Sequence, residues 1–141
     1  QGSPRVISGG TASANPLTMA AGLAAMEQLT PPVYARINRL GDSLRKRANK
    51  VFAGAGEPAQ LTGEGSLFRL LMTAEPIVDY RTSIRKASPP ERFNRLHRNL
   101  LEEGIIIYKE GLGCLSTPMG EGEVDQFVKA LERAIGRLPK E

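Results

Sequence analysis

The feature that most constrains the fold of this chain is an uncharged run of small residues at 9–22, GGTASANPLTMAAG, which leads directly into a helix start. Glycines let a backbone approach an anion closely, and Thr11 and Ser13 add hydroxyl donors. Asn15 is a preferred N-cap, and Pro16 suits the first helical turn, where an N–H has no partner within the helix. The N-terminus of such a helix attracts negative charge. The run therefore predicts an anion-binding loop; the alternative is an ordinary glycine-rich loop before a buried helix.

The predicted first helix, residues 15–29, is apolar around its whole circumference, and no charge lies between Arg5 and Glu27. A helix that is apolar on every side is normally buried on every side. A chain of 141 residues has little protein with which to surround it. We therefore expect this helix to pack against protein outside these residues. Its apolar positions are Leu17, Met19, Ala20, Ala21, Leu23, Ala24, Ala25 and Met26.

The totals favour one globular domain, because 40% of the residues are apolar and 24% are charged. The single cysteine, Cys114, excludes an internal disulfide and favours a reducing cytoplasm, and no Cys/His spacing of a metal site is present. We expect neither a signal peptide nor a membrane segment. Residues 1–5 are interpreted as a lead-in that begins with the remnant of a cleaved tag, Gln1 to Ser3.

The net charge of +4 comes mainly from one predicted helix. No aromatic residues alternate with its bases, and the chain shows no helix-turn-helix pattern, so we interpret these bases as a solvated helix face and expect no nucleic-acid partner. The bases are Arg36, Arg39, Arg45, Lys46, Arg47 and Lys50.

Periodicity and turn residues predict the element order ααββαββα. After the first helix we expect a helix of about twenty residues with an apolar stripe, which Thr30 caps and which ends at 54–56. Strands at 59–62 and 66–72, joined by the turn 63–65, and an irregular connection at 75–87 follow. The capping box 88–91 then opens a helix that ends at Gly104, and strands at 105–108 and 114–117 precede a last helix at 121–138. This is an α+β domain in which helices cover an antiparallel sheet of three to four strands.

The residues offer no catalytic machinery beyond the anion loop. His97 lies within a helix without a nucleophile or metal ligand nearby, so it is interpreted as a surface or boundary residue. Cys114 is interpreted as a packed thiol, and Glu110 as a loop residue that can reach a cleft. Glu102 and Glu103 point in different directions from one helix end and make a poor acid–base pair. No lysine has surroundings that predict a lowered pKa.

Residues 10–22 resemble the GT-x-S-x-NPL-x-MAAG segment of class III pyridoxal-phosphate-dependent aminotransferases, and are most similar to the glutamate-1-semialdehyde 2,1-aminomutase group. Further similar segments follow in the order found in that family and extend the resemblance over nearly all of residues 6–138. They are 29–31 with Tyr34 at a helix junction, 63–68 in a hairpin, 101–105 at a helix-to-strand step, and 115–117 with 124–125 at the last strand and helix.

The resemblance implies that residues 15–141 are the C-terminal small domain of a fold type I enzyme, preceded by its phosphate-loop segment at 6–14. It implies that Gly10 and Thr11 bind the phosphate of pyridoxal phosphate in a homodimer. The lysine that forms the Schiff base and the aspartate that pairs with the pyridine nitrogen belong to the large domain. The parent enzyme would transfer an amino group, or shift it by one carbon, on a small amino-acid-like substrate, whereas this chain alone would be inactive and would not hold the cofactor.

Two departures from the family pattern leave the substrate open. The segment between Gly104 and Leu115 is about two residues shorter than in the aminomutases, so the match of Glu110 to their glutamate stays undecided. Cys114 stands where ornithine-type members carry an arginine for the substrate carboxylate, which argues against that subgroup. A rival interpretation is a free-standing, non-catalytic fragment that acts as a small dimeric binding or structural module.

Overall fold

The computed structural model describes residues 10, 12–85 and 90–139. The chain divides into two compact units, Gln1–Tyr34 and Ala35–Glu141. The elements are α1 (Pro16–Gln28), α2 (Pro31–Ala55), β1 (Gln60–Thr62), β2 (Leu67–Leu71), α3 (Tyr80–Arg85), α4 (Pro90–Glu102), β3 (Leu112–Cys114) and α5 (Glu121–Gly136). This order confirms the α+β class. The predicted lead-in, most of the phosphate-loop segment and the first two residues of the 88–91 capping box lie outside the described residues.

The core of the second unit lies between one face of the sheet and the apolar sides of α2, α4 and α5. The stripe predicted for α2 is confirmed from Ile37 to Phe52, because its members are buried at helical spacing. Phe68 of β2 meets Phe127 of α5 edge to face, with ring centroids 5.6 Å apart. The largest fully buried side chains are Phe52, Leu44, Leu61, Leu70, Leu96, Leu100, Leu131 and Val124.

The three strands form an antiparallel sheet in the order β1-β2-β3, so β2 is central. Arg69 of β2 is the reference point of the register, because it lies opposite Thr62 of β1 and Leu112 of β3. Side chains alternate between the two faces of a strand. Phe68 and Leu70 therefore point into the core and are buried, whereas Arg69 lies on the other face.

The predicted strand at 105–108 is wrong. These residues have no strand structure, and the third strand begins only at Leu112, two residues before the second predicted strand at 114–117. Gly104, with a φ of 81°, ends α4, and a turn follows in which the Gly111 N–H donates to the Tyr108 carbonyl at 2.8 Å. The β-branched run is therefore a connection whose burial comes from packing: Ile107 is buried while Ile106 is 83% exposed. A short helix, α3, lies within the predicted irregular connection.

Two carboxylates hold helix starts in the second unit. Asp79 precedes α3, and its Oδ1 accepts the Thr82 N–H at 2.7 Å, while the Thr82 hydroxyl oxygen accepts the Asp79 N–H at 3.0 Å. Hydrogen bonds from the backbone and side chain of Thr82 hold the pKa of Asp79 below its usual value. At α5, the Gly120 N–H donates to Glu123 Oε2 at 2.7 Å, and this bond lowers the pKa of Glu123. Both helices therefore begin with a negative charge, as the helix dipole prefers.

Three of the six bases assigned to the second predicted helix are partly buried and bound within the fold, so the interpretation as a solvated helix face holds only for the exposed Arg39, Lys46 and Lys50. The partners of the bound bases include backbone carbonyls and carboxylates: Arg36 donates to Met119 O at 2.8 Å, Arg45 donates to Gly65 O at 2.8 Å, and Arg47 pairs with Asp125 at 2.6 Å. In the described part of the chain, no helix has the length and apolar character needed to cross a membrane.

No residue of α1 is buried within this chain. Leu17 is 79% exposed, and Met19, Leu23 and Met26 are exposed as well. The expectation that protein outside these residues packs on this helix stays a prediction. Exposed patches of large apolar side chains are typical of surfaces that bind other protein.

Candidate functional site

The described part of the predicted phosphate loop is a tight turn in front of α1. The Ser13 N–H donates to the Gly10 carbonyl at 2.9 Å, and Gly10 has a φ of 146°, which favours glycine over residues with a Cβ. Ala14 also has a positive φ, 56°, before the chain enters the helix. Glycine-rich turns of this kind expose backbone N–H groups to one side. Thr11, the other predicted cofactor residue, lies outside the described residues.

The start of α1 has few free N–H groups that could bind an anion. Asn15 is the N-cap, as predicted, and its Oδ1 accepts the Leu17 N–H at 2.9 Å. Pro16 has no N–H to give. Neither Pro16 nor Leu17 therefore has a free N–H to offer. An anion at this site would depend on the N–H and hydroxyl groups of the turn rather than on the helix end.

The second unit carries a different candidate surface, the open sheet face, which is the face of the three strands that points away from the helical core. Its central residue is Arg69, which is partly buried. Leu67 is 61% exposed at one end of β2, and Leu71 is buried at the other. By strand alternation the residues of the open sheet face are Gln60, Thr62, Leu67, Arg69, Leu71, Leu112 and Cys114.

The interpretation of Cys114 as a packed thiol is wrong, because the side chain is exposed. Cys114 pairs with Leu67, so it lies on the open sheet face, whereas its neighbour Gly113 pairs with the buried Phe68. The glycine supplies the core side of β3, since a Cβ there would overlap the Phe68 ring. The predicted strand at 114–117 shares only Cys114 with β3, and its sequence does not show which of the two faces is covered.

The remaining candidate residues act in structure. His97 is a boundary residue, as predicted: it is partly buried, its Nε2 lies 3.0 Å from the Ile107 carbonyl, and its ring packs beside Phe93. Glu110 is exposed in the turn before β3 and lies 3.7 Å from Lys109. Glu103 pairs with Arg133 at 2.5 Å. The contacts of His97 and Glu103 connect α4 to the loop that follows it and to α5.

The lysines within the described residues show no sign of catalytic use. All four have exposed side chains: Lys46 and Lys50 on α2, Lys109 before β3, and Lys129 on α5. A lysine that attacks a carbonyl needs its charged form destabilised by burial or a neighbouring cation. Exposed side chains lack that burial.

A buried ion pair closes the end of α2. The Glu57 side chain is 5% exposed and that of Arg92 is 19% exposed. The Arg92 guanidinium donates to both oxygens of the Glu57 carboxylate, from Nε to Oε1 at 2.7 Å and from Nη2 to Oε2 at 2.6 Å. Its Nη1 donates to the Pro139 carbonyl at 3.1 Å. The pair lines a cleft of about 960 Å³ together with Lys50. It joins α2, α4 and the chain after α5.

The chain is similar in sequence and in structure to parts of known enzymes. No protein-family model matches the chain. It is 31% identical over 132 residues to glutamate-1-semialdehyde 2,1-aminomutase 2 of Staphylococcus saprophyticus, covering 92% of this chain and 30% of that protein. An omega-transaminase from Sphaerobacter thermophilus superposes with a TM-score of 0.81 at 45% identity, covering 94% of this chain and 30% of the other. A transaminase with bound PLP gives a TM-score of 0.75 at 34% identity, over 97% of this chain and 31% of the other.

The chain is thus homologous to PLP transaminases, and its fold is that of their C-terminal small domain. Its curated relatives are glutamate-1-semialdehyde 2,1-aminomutases. The chain spans about 30% of the length of those relatives, so most of the enzyme that they represent lies outside these residues.

Proposed function

We propose that this chain is the C-terminal small domain of a pyridoxal-phosphate-dependent enzyme that transfers amino groups between small amino-acid-like substrates. The observation that carries the proposal is the 45% identity with an omega-transaminase over 94% of the chain. Amino-group transfer is favoured over the one-carbon amino shift, because the identity with the aminomutases is lower, at 31–33%. When bound in the parent enzyme, pyridoxal phosphate would supply the electron sink for this chemistry.

Within the parent enzyme we assign Gly10 and Thr11 to the phosphate of the cofactor. Support comes from the turn at Gly10, whose φ of 146° favours glycine, a residue without a side chain that could hinder the approach of an anion to the backbone. Asn15 already caps α1, so the turn rather than the helix end would provide the donors. Thr11 would add a hydroxyl to those backbone donors.

The chain alone would be inactive. The four described lysines are exposed on helix faces or in a turn, which fits the expectation that the cofactor-binding lysine belongs to the large domain. The exposed apolar side chains of α1 would be covered by the rest of the parent enzyme in a cytoplasmic homodimer. In this assignment the chain supplies the phosphate turn and a wall of the substrate cleft.

The test of the phosphate role uses the full-length parent enzyme with Thr11→Val, and Thr18→Val as the matched control on the exposed first turn of α1. We expect Thr11→Val to weaken pyridoxal phosphate binding by about 1–3 kcal/mol, because a buried charged acceptor loses one hydrogen bond. Equilibrium dialysis of the cofactor against each variant measures this difference. An affinity that Thr11→Val leaves equal to that of the control removes Thr11 from the site.

The size of the natural protein distinguishes the proposed enzyme from the rival interpretation, a free-standing dimeric module. Mass spectrometry of the protein from its own cells distinguishes a chain about three times longer, as the 30% coverage implies, from one of about this length. The short product would contradict the enzyme assignment.

A further inference from the structure

Arg69 is a charged residue in the middle of the central strand. Its strand neighbours Phe68 and Leu70 are buried in the core, so Arg69 stands on the open sheet face between Thr62 and Leu112. A charge at this partly buried position is costly unless the guanidinium finds acceptors.

One end of the open sheet face is covered by the segment that follows β2. Gln60 holds this segment in place, since its Nε2 donates to the carbonyl oxygens of Thr73 at 2.8 Å and Glu75 at 2.7 Å. The buried Leu71 lies at the covered end. Arg69 is therefore at the border between the covered and the uncovered part of the face.

The other end of the face is open. Leu67 is 61% exposed, Leu112 is 48% exposed, and Cys114 is exposed as well. A ligand or another protein segment can approach Arg69 from this side without moving any strand.

The hydrogen bonds of Arg69 are incomplete. A guanidinium has five N–H donors. Arg69 Nη1 makes one long bond to Ser83 Oγ at 3.4 Å, and its Nε is buried without an acceptor. No carboxylate forms an ion pair with Arg69 within residues 10, 12–85 and 90–139. The partly buried Arg45, by contrast, has two carbonyl partners and a carboxylate.

We propose that Arg69 binds a carboxylate that these described residues do not contain. The planar fork of the guanidinium matches a carboxylate with two parallel hydrogen bonds, and Nε is one of the donors that such a pair uses. The inference rests on the proposed function, which gives the carboxylate two sources. It belongs either to the amino-acid substrate or to an acidic side chain in the rest of the parent enzyme.

The experiment uses the full-length parent enzyme with Arg69→Met, which keeps length and removes charge, and Arg69→Lys, which keeps charge but loses the fork. Arg95→Met, on the exposed side of α4, is the control. The first half-reaction is followed by the change in cofactor absorbance with β-aminobutyrate and with sec-butylamine, an otherwise matched amine in which a methyl group replaces the carboxylate. Melting temperatures are measured at low and high salt.

If the substrate supplies the carboxylate, Arg69→Met raises the half-saturating concentration of β-aminobutyrate by about 10- to 100-fold and leaves that of sec-butylamine within about twofold, with Arg69→Lys between. If the parent protein supplies it, both amines are affected alike, and the melting temperature falls by an amount that shrinks as salt rises. The inference is overturned if Arg69→Met behaves like Arg95→Met. It is also overturned if Arg69→Met affects the reaction with both amines alike and lowers the melting temperature by an amount that does not depend on salt. A wild-type parent that reacts with neither amine refutes the proposed function instead, and the salt-dependent melting then tests Arg69 by itself.

Discussion

The Glu57–Arg92 pair makes a sharp prediction about stability, because its two charges differ in exposure. The Glu57 side chain is 5% exposed and that of Arg92 is 19% exposed. Removing one partner of a buried pair leaves the other charge without compensation, at a cost of about 3–5 kcal/mol. We expect that full cost for Arg92→Met, because it leaves the less exposed charge, the Glu57 carboxylate, without its partner. Glu57→Gln should cost only about 1.5–3 kcal/mol, since water reaches the guanidinium more easily.

The assay is urea unfolding of the chain followed by circular dichroism, since the sequence has no tryptophan for fluorescence. At roughly 4 °C per kcal/mol for a domain of this size, Arg92→Met should also lower the melting temperature by 12 °C or more. The double variant Glu57→Leu with Arg92→Met should be more stable than Arg92→Met alone, because it leaves no buried charge.

The control is Glu102→Gln, which removes the carboxylate of an exposed pair 3.6 Å from Arg137. It should change the free energy of unfolding by less than about 1 kcal/mol. The reasoning is refuted if Arg92→Met costs no more than this control, or if the double variant is no more stable than Arg92→Met.

Two further outcomes follow from helix positions. Gly41→Ala should destabilise the chain, because the new Cβ would overlap the Gly65 carbonyl. Gly54→Ala lies on the same helix, but its Cβ meets no neighbour, so it should stabilise the chain by about 0.5–1 kcal/mol. The urea midpoints of the two variants should therefore move in opposite directions. Because Glu123 has a lowered pKa in the folded chain, its stabilising effect is present above its ordinary value of 4.5 and is lost as pH falls through the folded value. The difference in melting temperature between the wild type and Glu123→Gln should shrink on acidification from pH 7 to about 3, and a constant difference would contradict this role.

The helices were predictable because their signals are local. The spacing of Ile37, Leu44 and Phe52 defines the buried side of α2, and Gly56, with a φ of 66°, follows its end at Ala55 near the predicted position. Asn15 likewise caps α1 through a contact only two residues away.

The sheet was less predictable, because a strand depends on a partner distant in sequence. The run at 105–108 has high strand propensity, but the backbone beside β2 is used by Leu112 and its neighbours. Propensity also does not say which face of a strand is covered, which is why the exposure of Cys114 was missed. The charge of Arg69 between Phe68 and Leu70 was the available signal that one face of β2 is not core.

The two units differ in what stabilises them, and this difference bears on the cofactor. The second unit has a buried core of its own. The helix α1 has 13 residues and buries none of them, and an isolated helix of that length is marginally stable in water. The turn at Gly10 precedes this helix, so in the proposed parent enzyme protein that covers Leu17, Met19 and their neighbours would also stabilise the turn. We therefore expect cofactor affinity in that enzyme to be coupled to assembly: protein that orders α1 would also order the proposed phosphate turn, and a bound cofactor would stabilise the assembled form by mass action.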